Sequence, residues 1–430
     1  MGDTIEHDHS GDGVDRRGFL KCMAWAGTGA LWAMQGGVLR SLPLTRLTDP
    51  SGLGGELFFA QVSDSHIGFA KEANPDVTAT LQEAVDRLNH LPRRPAFVLH
   101  TGDISQLSRP SEFDTADQVL RGIRTDRVWF VPGEHDVLED NGRQYLDRYG
   151  RESRGDGWYS FDHAGVHFVG LVNVLNLKAG GLGNLGTAQL DWLKRDLAGR
   201  SASTPIVVFA HIPLWTVYPD WGWGTDDSEQ ALALLKRFGS VSVLNGHIHQ
   251  VLQKVEGNVR FHTAMSTAFP QPAPGAAPSP GPMKVEANRL RKVLGIASVE
   301  FLRGHQALAV VDSPLDAGSA GAGASAAAAA GSVARRAAPA ATIDPAGTAT
   351  TVKIDNFSFS PQNTTVKAGT TITWVNADDV PHKIVSSDGK FAASPPLDTN
   401  DRYALPFTEP GRYEYFCAIH PKMTGAIIVQ

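Results

Sequence analysis

The chain has 430 residues, 42% hydrophobic and 20% charged, which is enough apolar material for two or three globular domains. Its net charge is −6 with no basic stripe, so the composition offers no nucleic-acid surface. Two cysteines, Cys22 and Cys417, exclude the disulfide framework of a small secreted scaffold.

The N-terminus reads Asp15-Arg16-Arg17-Gly18-Phe19-Leu20-Lys21, followed by an apolar, Gly- and Ala-rich stretch over residues 22–39. That stretch is too short and too rich in small residues to read as a membrane span. The arginine pair with the following Phe-Leu-Lys resembles a twin-arginine export signal. The resemblance implies a signal region at residues 1–45 and export to the periplasm or cell envelope. The signal is either cleaved near residues 40–55 or kept as an anchor, and no other transmembrane segment is expected. If it is removed, Cys417 is the only thiol left, and a lone thiol in an oxidising compartment needs an occupant.

Residues 56–312 alternate short apolar runs with helical patterns. Strands are predicted at 57–62, 96–99, 128–131, 166–172, 206–209 and 241–244, and helices at 77–91, 112–123, 187–197 and 228–238. A Pro/Ala/Gly loop covers 270–282, and two more strand-like runs, 293–301 and 307–311, close the domain. This alternation predicts an α/β fold with helices outside a sheet core.

Polar clusters follow five of the strands: Asp64-Ser65-His66, Asp103, Glu134-His135-Asp136, His211, and His247-Ile248-His249. Loops at the carboxyl ends of strands in such a fold converge on one rim, so these residues form a metal site. Carboxylates mixed with imidazoles suit Mn, Fe or Zn, and a carboxylate bridging two ions makes a clamp for phosphoryl chemistry. The order of the clusters resembles the calcineurin-like metallophosphoesterases over roughly residues 56–312. The resemblance implies a β-sandwich core flanked by helices, with two divalent or mixed-valent ions. By it, Asp64, His66 and His249 bind the first ion and Asp103 bridges. Glu134, His211 and His247 bind the second ion. His135 contacts the phosphate and protonates the leaving group, with Asp136 beside it as an orienting partner. The family carries Asn where this chain has Glu134. As a ligand, Glu134 adds a negative charge that favours a more highly charged ion and disfavours a dianionic substrate; otherwise it is a bystander. Among the remaining histidines, His262 is near enough in sequence to line the pocket. The tryptophan-rich run 215–223 fits an aromatic wall for the substrate's leaving group and equally fits local packing of a Gly/Pro loop.

Residues 313–350 are mostly Ala, Gly, Ser and Pro and read as a flexible linker, which leaves the last domain free to visit the rim without being fixed there. Residues 351–430 carry short strand patterns, among them 371–375 and 412–416, punctuated by Pro381, Asp388-Gly389 and Pro410-Gly411, which predicts a small all-β sandwich. Its end reads Cys417-Ala418-Ile419-His420-Pro421-Lys422-Met423, with His382 upstream. One thiolate, two imidazoles and a weak axial thioether make a type 1 copper set. The short Cys-x2-His-x2-Met loop resembles amicyanin and its relatives among the cupredoxins. That implies Cys417, His382 and His420 as equatorial ligands, Met423 as the axial one, one copper ion and a redox partner. The expected function is hydrolysis of an unidentified phosphomonoester or phosphodiester by metal-activated hydroxide, with the copper domain appended. The competing expectation is a copper electron-transfer or copper-binding protein whose phosphoesterase-like domain is a binding platform.

Overall fold

The computed structural model describes residues 57–301, 308–316 and 349–430, and the backbone of two strands near the N-terminus. Those strands, β1 (Ala30–Gln35) and β2 (Val38–Pro43), pair antiparallel as a hairpin. Arg16, Arg17, Cys22 and linker residues 317–348 lie outside the described residues. Among the described residues, no helix is long and apolar enough to cross a membrane.

The larger region is a sandwich of two sheets. One has five strands in the order β13-β12-β3-β4-β5: β3 (Leu57–Val62), β4 (Val98–His100), β5 (Val128–Phe130), β12 (Gly295–Phe301) and β13 (Leu308–Pro314). The other has six in the order β10-β11-β9-β8-β7-β6: β6 (Tyr159–His163), β7 (Val166–Gly170), β8 (Ile206–Phe209), β9 (Val241–Asn245), β10 (Gln253–Glu256) and β11 (Val259–Thr263). Phe59, Leu99 and Val299 from the first sheet meet Phe168, Val207, Phe209 and Leu244 from the second in a shared buried core.

The parallel strands β7, β8 and β9 are buried at every position, as expected where both faces are covered. Helices cover the outer faces. α1 (Val77–Asn89) starts where Asp76 accepts the Ala79 N–H at 2.9 Å, and it buries Val77, Leu81, Ala84, Val85 and Leu88, one helical stripe. α2 (Pro110–Leu120) begins two residues before the predicted start, because Pro110 takes the first turn. α4 (Thr187–Leu197) matches the prediction, and α5 (Ser228–Leu235) is shorter than predicted. Two short helices went unpredicted: α3 (Arg143–Tyr149) and α6 (Ala287–Val293).

The C-terminal region is an all-β sandwich of two four-stranded sheets. One has the order β15-β14-β17-β19: β14 (Ala349–Ile354), β15 (Phe359–Ser360), β17 (Thr370–Asn376) and β19 (Arg402–Phe407). The other has the order β16-β21-β20-β18: β16 (Asn363–Val366), β18 (Ile384–Ser386), β20 (Gly411–Cys417) and β21 (Thr424–Val429). Trp374 and Tyr415 are fully buried between them.

This sandwich packs on the larger region rather than hanging free, contrary to the expectation drawn from the linker. Leu107 and Leu138 join its core cluster. Lys71 Nζ donates to Asp398 Oδ1 at 2.6 Å and to the Asp379 carbonyl at 2.9 Å. The Lys383 ammonium donates to the Leu138 carbonyl, and Gly180 N–H to the Pro421 carbonyl at 2.6 Å. The expectation came from composition alone, whereas these contacts are side-chain specific and leave no periodic trace in the sequence.

Candidate metal centres

The candidate ligands of the larger region stand at the carboxyl ends of parallel strands: Asp64 and His66 after β3, Asp103 after β4, Glu134 after β5, His211 after β8, and His247 and His249 after β9. The chain turns sharply at these points. Asp64 (φ 53°), His66 (42°), Asp103 (51°), His247 (71°) and His249 (53°) all adopt left-handed backbone. They make five of the eleven described non-glycine residues with positive φ. Such backbone is costly for residues with a Cβ and persists where surrounding contacts hold it. Here the β3 and β4 loops are stitched together: Asp64 N–H donates to the Gly102 carbonyl at 3.0 Å and His66 N–H to the Asp103 carbonyl at 2.9 Å. A Cβ at Gly133 would collide with the Asp103 carboxylate, so only glycine lets the β5 loop pass this close.

The side chains form two adjoining sets. Ligand-type atoms of Asp64, His66 and His249 lie within 4.8 Å of one another, as do those of Glu134, His211 and His247. Asp103 Oδ2 stands between them, 3.5 Å from His66 Nε2 and 3.3 Å from His211 Nε2. Within the second set, Glu134 carboxylate oxygens lie 2.9 Å from His211 Nε2 and 2.8 Å from His247 Nδ1. Glu134 Oε2, His211 Nε2 and both His247 ring nitrogens are nevertheless buried without a properly aligned hydrogen-bond partner. Buried polar atoms rarely go unpartnered, and a cation between them satisfies all of them at once.

The opposite ring nitrogens are engaged. His66 Nδ1 donates to Gln106 Oε1 (2.9 Å), His211 Nδ1 to the Thr101 carbonyl (2.7 Å) and His249 Nδ1 to the Phe269 carbonyl (2.6 Å). Each bond fixes the tautomer that leaves Nε2 free to bind metal. Burial alone would raise the Glu134 carboxyl, but His247 and His211 hold it well below its ordinary value. Burial alone would lower His211, but Asp103 and Glu134 raise it well above. The donor set therefore fits a pair of cations.

His135 lies beside this rim, its ring 4.7 Å from that of His66. Its Nδ1 donates to the Gln106 carbonyl at 2.8 Å, which leaves Nε2 for proton transfer. Asp136 does not orient it, which corrects the role drawn from their adjacency. The Asp136 carboxylate accepts from Gly133 N–H (3.0 Å), Ile104 N–H (3.1 Å) and Ser105 N–H (2.8 Å). It ties the β4 and β5 loops together, because the short helical turn at Glu134–Asp136 points the two side chains apart. Burial and the nearby Asp103 raise its carboxyl to about 6. His262 pairs with Asp312 at 3.0 Å and with Gln253, a structural role. Gln106, whose side chain and carbonyl serve two histidines, was missed; it follows Asp103 by three residues, and that proximity was the only available signal.

In the C-terminal sandwich, Cys417 Sγ lies 3.5 Å from His382 Nδ1 and 3.7 Å from His420 Nδ1, and the two Nδ1 atoms are 3.3 Å apart. This near-equilateral triangle fits a trigonal copper site. Met423 is buried in the same loop. Burial pushes the Cys417 thiol up, but the two imidazoles drive it well below its ordinary value, towards the thiolate that copper requires. His382 Nε2 donates to Asp378 Oδ2 at 2.9 Å, a partner that sequence reasoning did not find.

The aromatic run divides. Trp215 and Trp223 are buried packing residues, whereas Trp221 is half-buried and lines a cleft shared with His247.

Comparison with known proteins agrees with both regions. The family model for calcineurin-like phosphoesterases matches residues 59–251, and that for cupredoxin-like domains matches residues 323–429. Amicyanin-alpha of Methylorubrum extorquens is 37% identical over 90 residues, 20% of this chain and 75% of the relative. A serine/threonine-protein phosphatase of Danio rerio is 29% identical over 46% of this chain and 71% of its own length. A glycerophosphodiester phosphodiesterase of Enterobacter lignolyticus is 28% identical over 45% of this chain and 72% of its own length. The chain thus carries a calcineurin-like phosphoesterase domain and belongs, through its C-terminal part, to the amicyanin family of cupredoxins.

Proposed function

We propose that this protein is an exported hydrolase of phosphodiesters, acting at the rim formed by Asp64, His66, Asp103, Glu134, His211, His247 and His249, with a type 1 copper site at His382, Cys417, His420 and Met423. The observation that carries the reading is the pair of adjoining ligand sets with the Asp103 carboxylate between them. Two ions held there supply Lewis-acid polarisation of the phosphoryl group and a nucleophilic water at neutral pH. The chain's own residues do the rest. Asp103 holds the sets in register, and His135, fixed through Nδ1, gives a proton from Nε2 to the departing oxygen. Three carboxylates at the rim, Asp64, Asp103 and Glu134, favour a singly charged diester over a doubly charged monoester. Purified protein given Mn, Fe or Zn should cleave bis(4-nitrophenyl) phosphate faster than 4-nitrophenyl phosphate. The opposite preference would reverse the ester assignment, and no turnover of either would sink the hydrolase.

Arg16-Arg17 with Phe19-Leu20-Lys21 supports twin-arginine export to the periplasm or cell envelope. Retention of an Arg16→Lys, Arg17→Lys double variant in the cytoplasm is the expected outcome, and its normal export would contradict the route. The complete copper triangle supports a second reading, a copper redox protein whose phosphoesterase domain is a platform. Reversible copper reduction without ester turnover would favour it.

A further inference from the structure

The two candidate centres open onto one cleft, with a volume of about 110 Å³. The phosphoesterase domain contributes Ile212, Trp221 and His247, and the cupredoxin contributes Phe357, Ile419 and His420. Apart from the ligand histidines His247 and His420, the ionisable residues on its walls are Asp220 and Lys422, one of each sign.

Phe357 is held there at a cost. Asn356 (φ 52°) and Phe357 (φ 55°) are consecutive left-handed residues, a conformation that bulky side chains avoid. The Asp378 carboxylate enforces it, accepting the Asn356 N–H at 2.5 Å and the Phe357 N–H at 2.9 Å. The result is a ring set edge-on to His420, with centroids 4.6 Å apart, and close to Gly281 of the phosphoesterase loop. On the other wall Trp221 ends a short turn, Pro219–Trp221, braced by Tyr218 and Trp223 at 5.1 and 5.0 Å. Backbone strain maintained at a cleft wall points to use of that wall.

We propose that this interdomain cleft is the subsite for one ester substituent, and that it takes an uncharged apolar or aromatic group about the size of a single ring. The proposal rests on the hydrolase reading, with the phosphoryl group at the His247 end. An enclosed apolar cavity of roughly 150 Å³ accommodates benzene, so a cleft of about 110 Å³ that opens to solvent seats most of a single ring or a short branched chain. The cupredoxin then completes the active site, and specificity is read jointly by Trp221 and Phe357.

The test is calorimetric titration of the full, metal-loaded protein with two non-hydrolysable, singly charged probes, dimethylphosphinate and methylphenylphosphinate. Burying the phenyl group should make the second bind about 10–100-fold tighter. Trp221→Ala and Phe357→Leu should each shrink that ratio, with the visible Cu(II)–thiolate absorption showing that the cupredoxin is folded. Methylphenylphosphinate should also perturb that absorption through Phe357 and His420, and dimethylphosphinate should not. Equal affinities in the wild type, or a ratio that survives both substitutions, overturns the subsite. If dimethylphosphinate inhibits hydrolysis and the phenyl probe binds no tighter, only the subsite falls. If neither probe binds and no ester is cleaved, the hydrolase reading falls with it.

Discussion

The rim of the phosphoesterase domain and the copper loop solve the same problem in different ways. The rim collects seven side chains from five loops spread between Asp64 and His249, and five of them sit on left-handed backbone. The copper set draws Cys417 and His420 from one short loop and His382 from a neighbouring strand connection, and none of its members has positive φ. The rim also buries three carboxylates against one another, whereas the copper triangle holds one anionic group. A site assembled by topology therefore depends on every loop that frames it, and a site assembled by one loop depends on what lies behind that loop.

The largest effect should come from the residue common to both halves of the rim. Asp103→Asn removes the charge between His66 and His211, and hydrolysis should fall below detection together with loss of first-domain metal. His135→Ala should cost about 10²–10⁴-fold in kcat while metal content stays near wild type: a His135 ring nitrogen lies within 4.8 Å of ligand-type atoms of His66 and Asp103, but the Asp64–His66–His249 and Glu134–His211–His247 sets are complete without it. Metal analysis beside kinetics separates the two. Equal metal loss would erase the distinction between holding and protonating residues.

Much of this contrast is legible in the sequence, for physical reasons. Parallel strands buried on both faces read as apolar runs, so β3, β4, β8 and β9 and the polar clusters after them stand out. The copper loop is local and carries its ligands within seven residues. The hairpin β10–β11 was missed because Gln253–Glu256 is exposed throughout and has no apolar period. Gln106 and Asp378 were missed because their roles lie in contacts across the fold. Asp136 was misassigned because neighbours on a tight turn need not point the same way.

The loop that supports the rim should respond to pH. Glu112 accepts the Leu107 N–H at 2.7 Å and the Arg109 N–H at 3.2 Å, bracing the segment that follows Gln106. Burial raises its carboxyl from 4.5 to about 7 despite those bonds. The folded state therefore binds the proton more tightly than the unfolded chain. Its contribution is fully present below pH 4.5 and is lost as pH rises through about 7, a change on the order of 3 kcal/mol. Glu112→Gln keeps an acceptor oxygen and removes the titration, so it should flatten the fall in stability between pH 5 and 8. Denaturant unfolding across that range checks it, and parallel curves for both proteins would contradict it.

The copper region should show the opposite kind of dependence, on a group that stays charged. Asp378 Oδ2 accepts from His382 Nε2 and the Phe357 N–H, and Oδ1 accepts from the Asn356 N–H. Burial alone would raise this carboxyl, but the His382 contact holds it below its ordinary value. Asp378→Asn offers a single acceptor oxygen to three donors, so either the turn at Asn356 or the His382 ring must let go. Loss of such a partner costs about 10–100-fold in metal affinity, and copper binding by competition with a chelator should weaken by that much. First-domain metal content should stay as in the wild type, since Asp378 belongs to neither rim set. Because the same carboxylate holds Phe357, the preference for the phenyl phosphinate should fall with copper affinity. Unchanged copper affinity would mean that the loop alone suffices and that the two regions differ less than their frames imply.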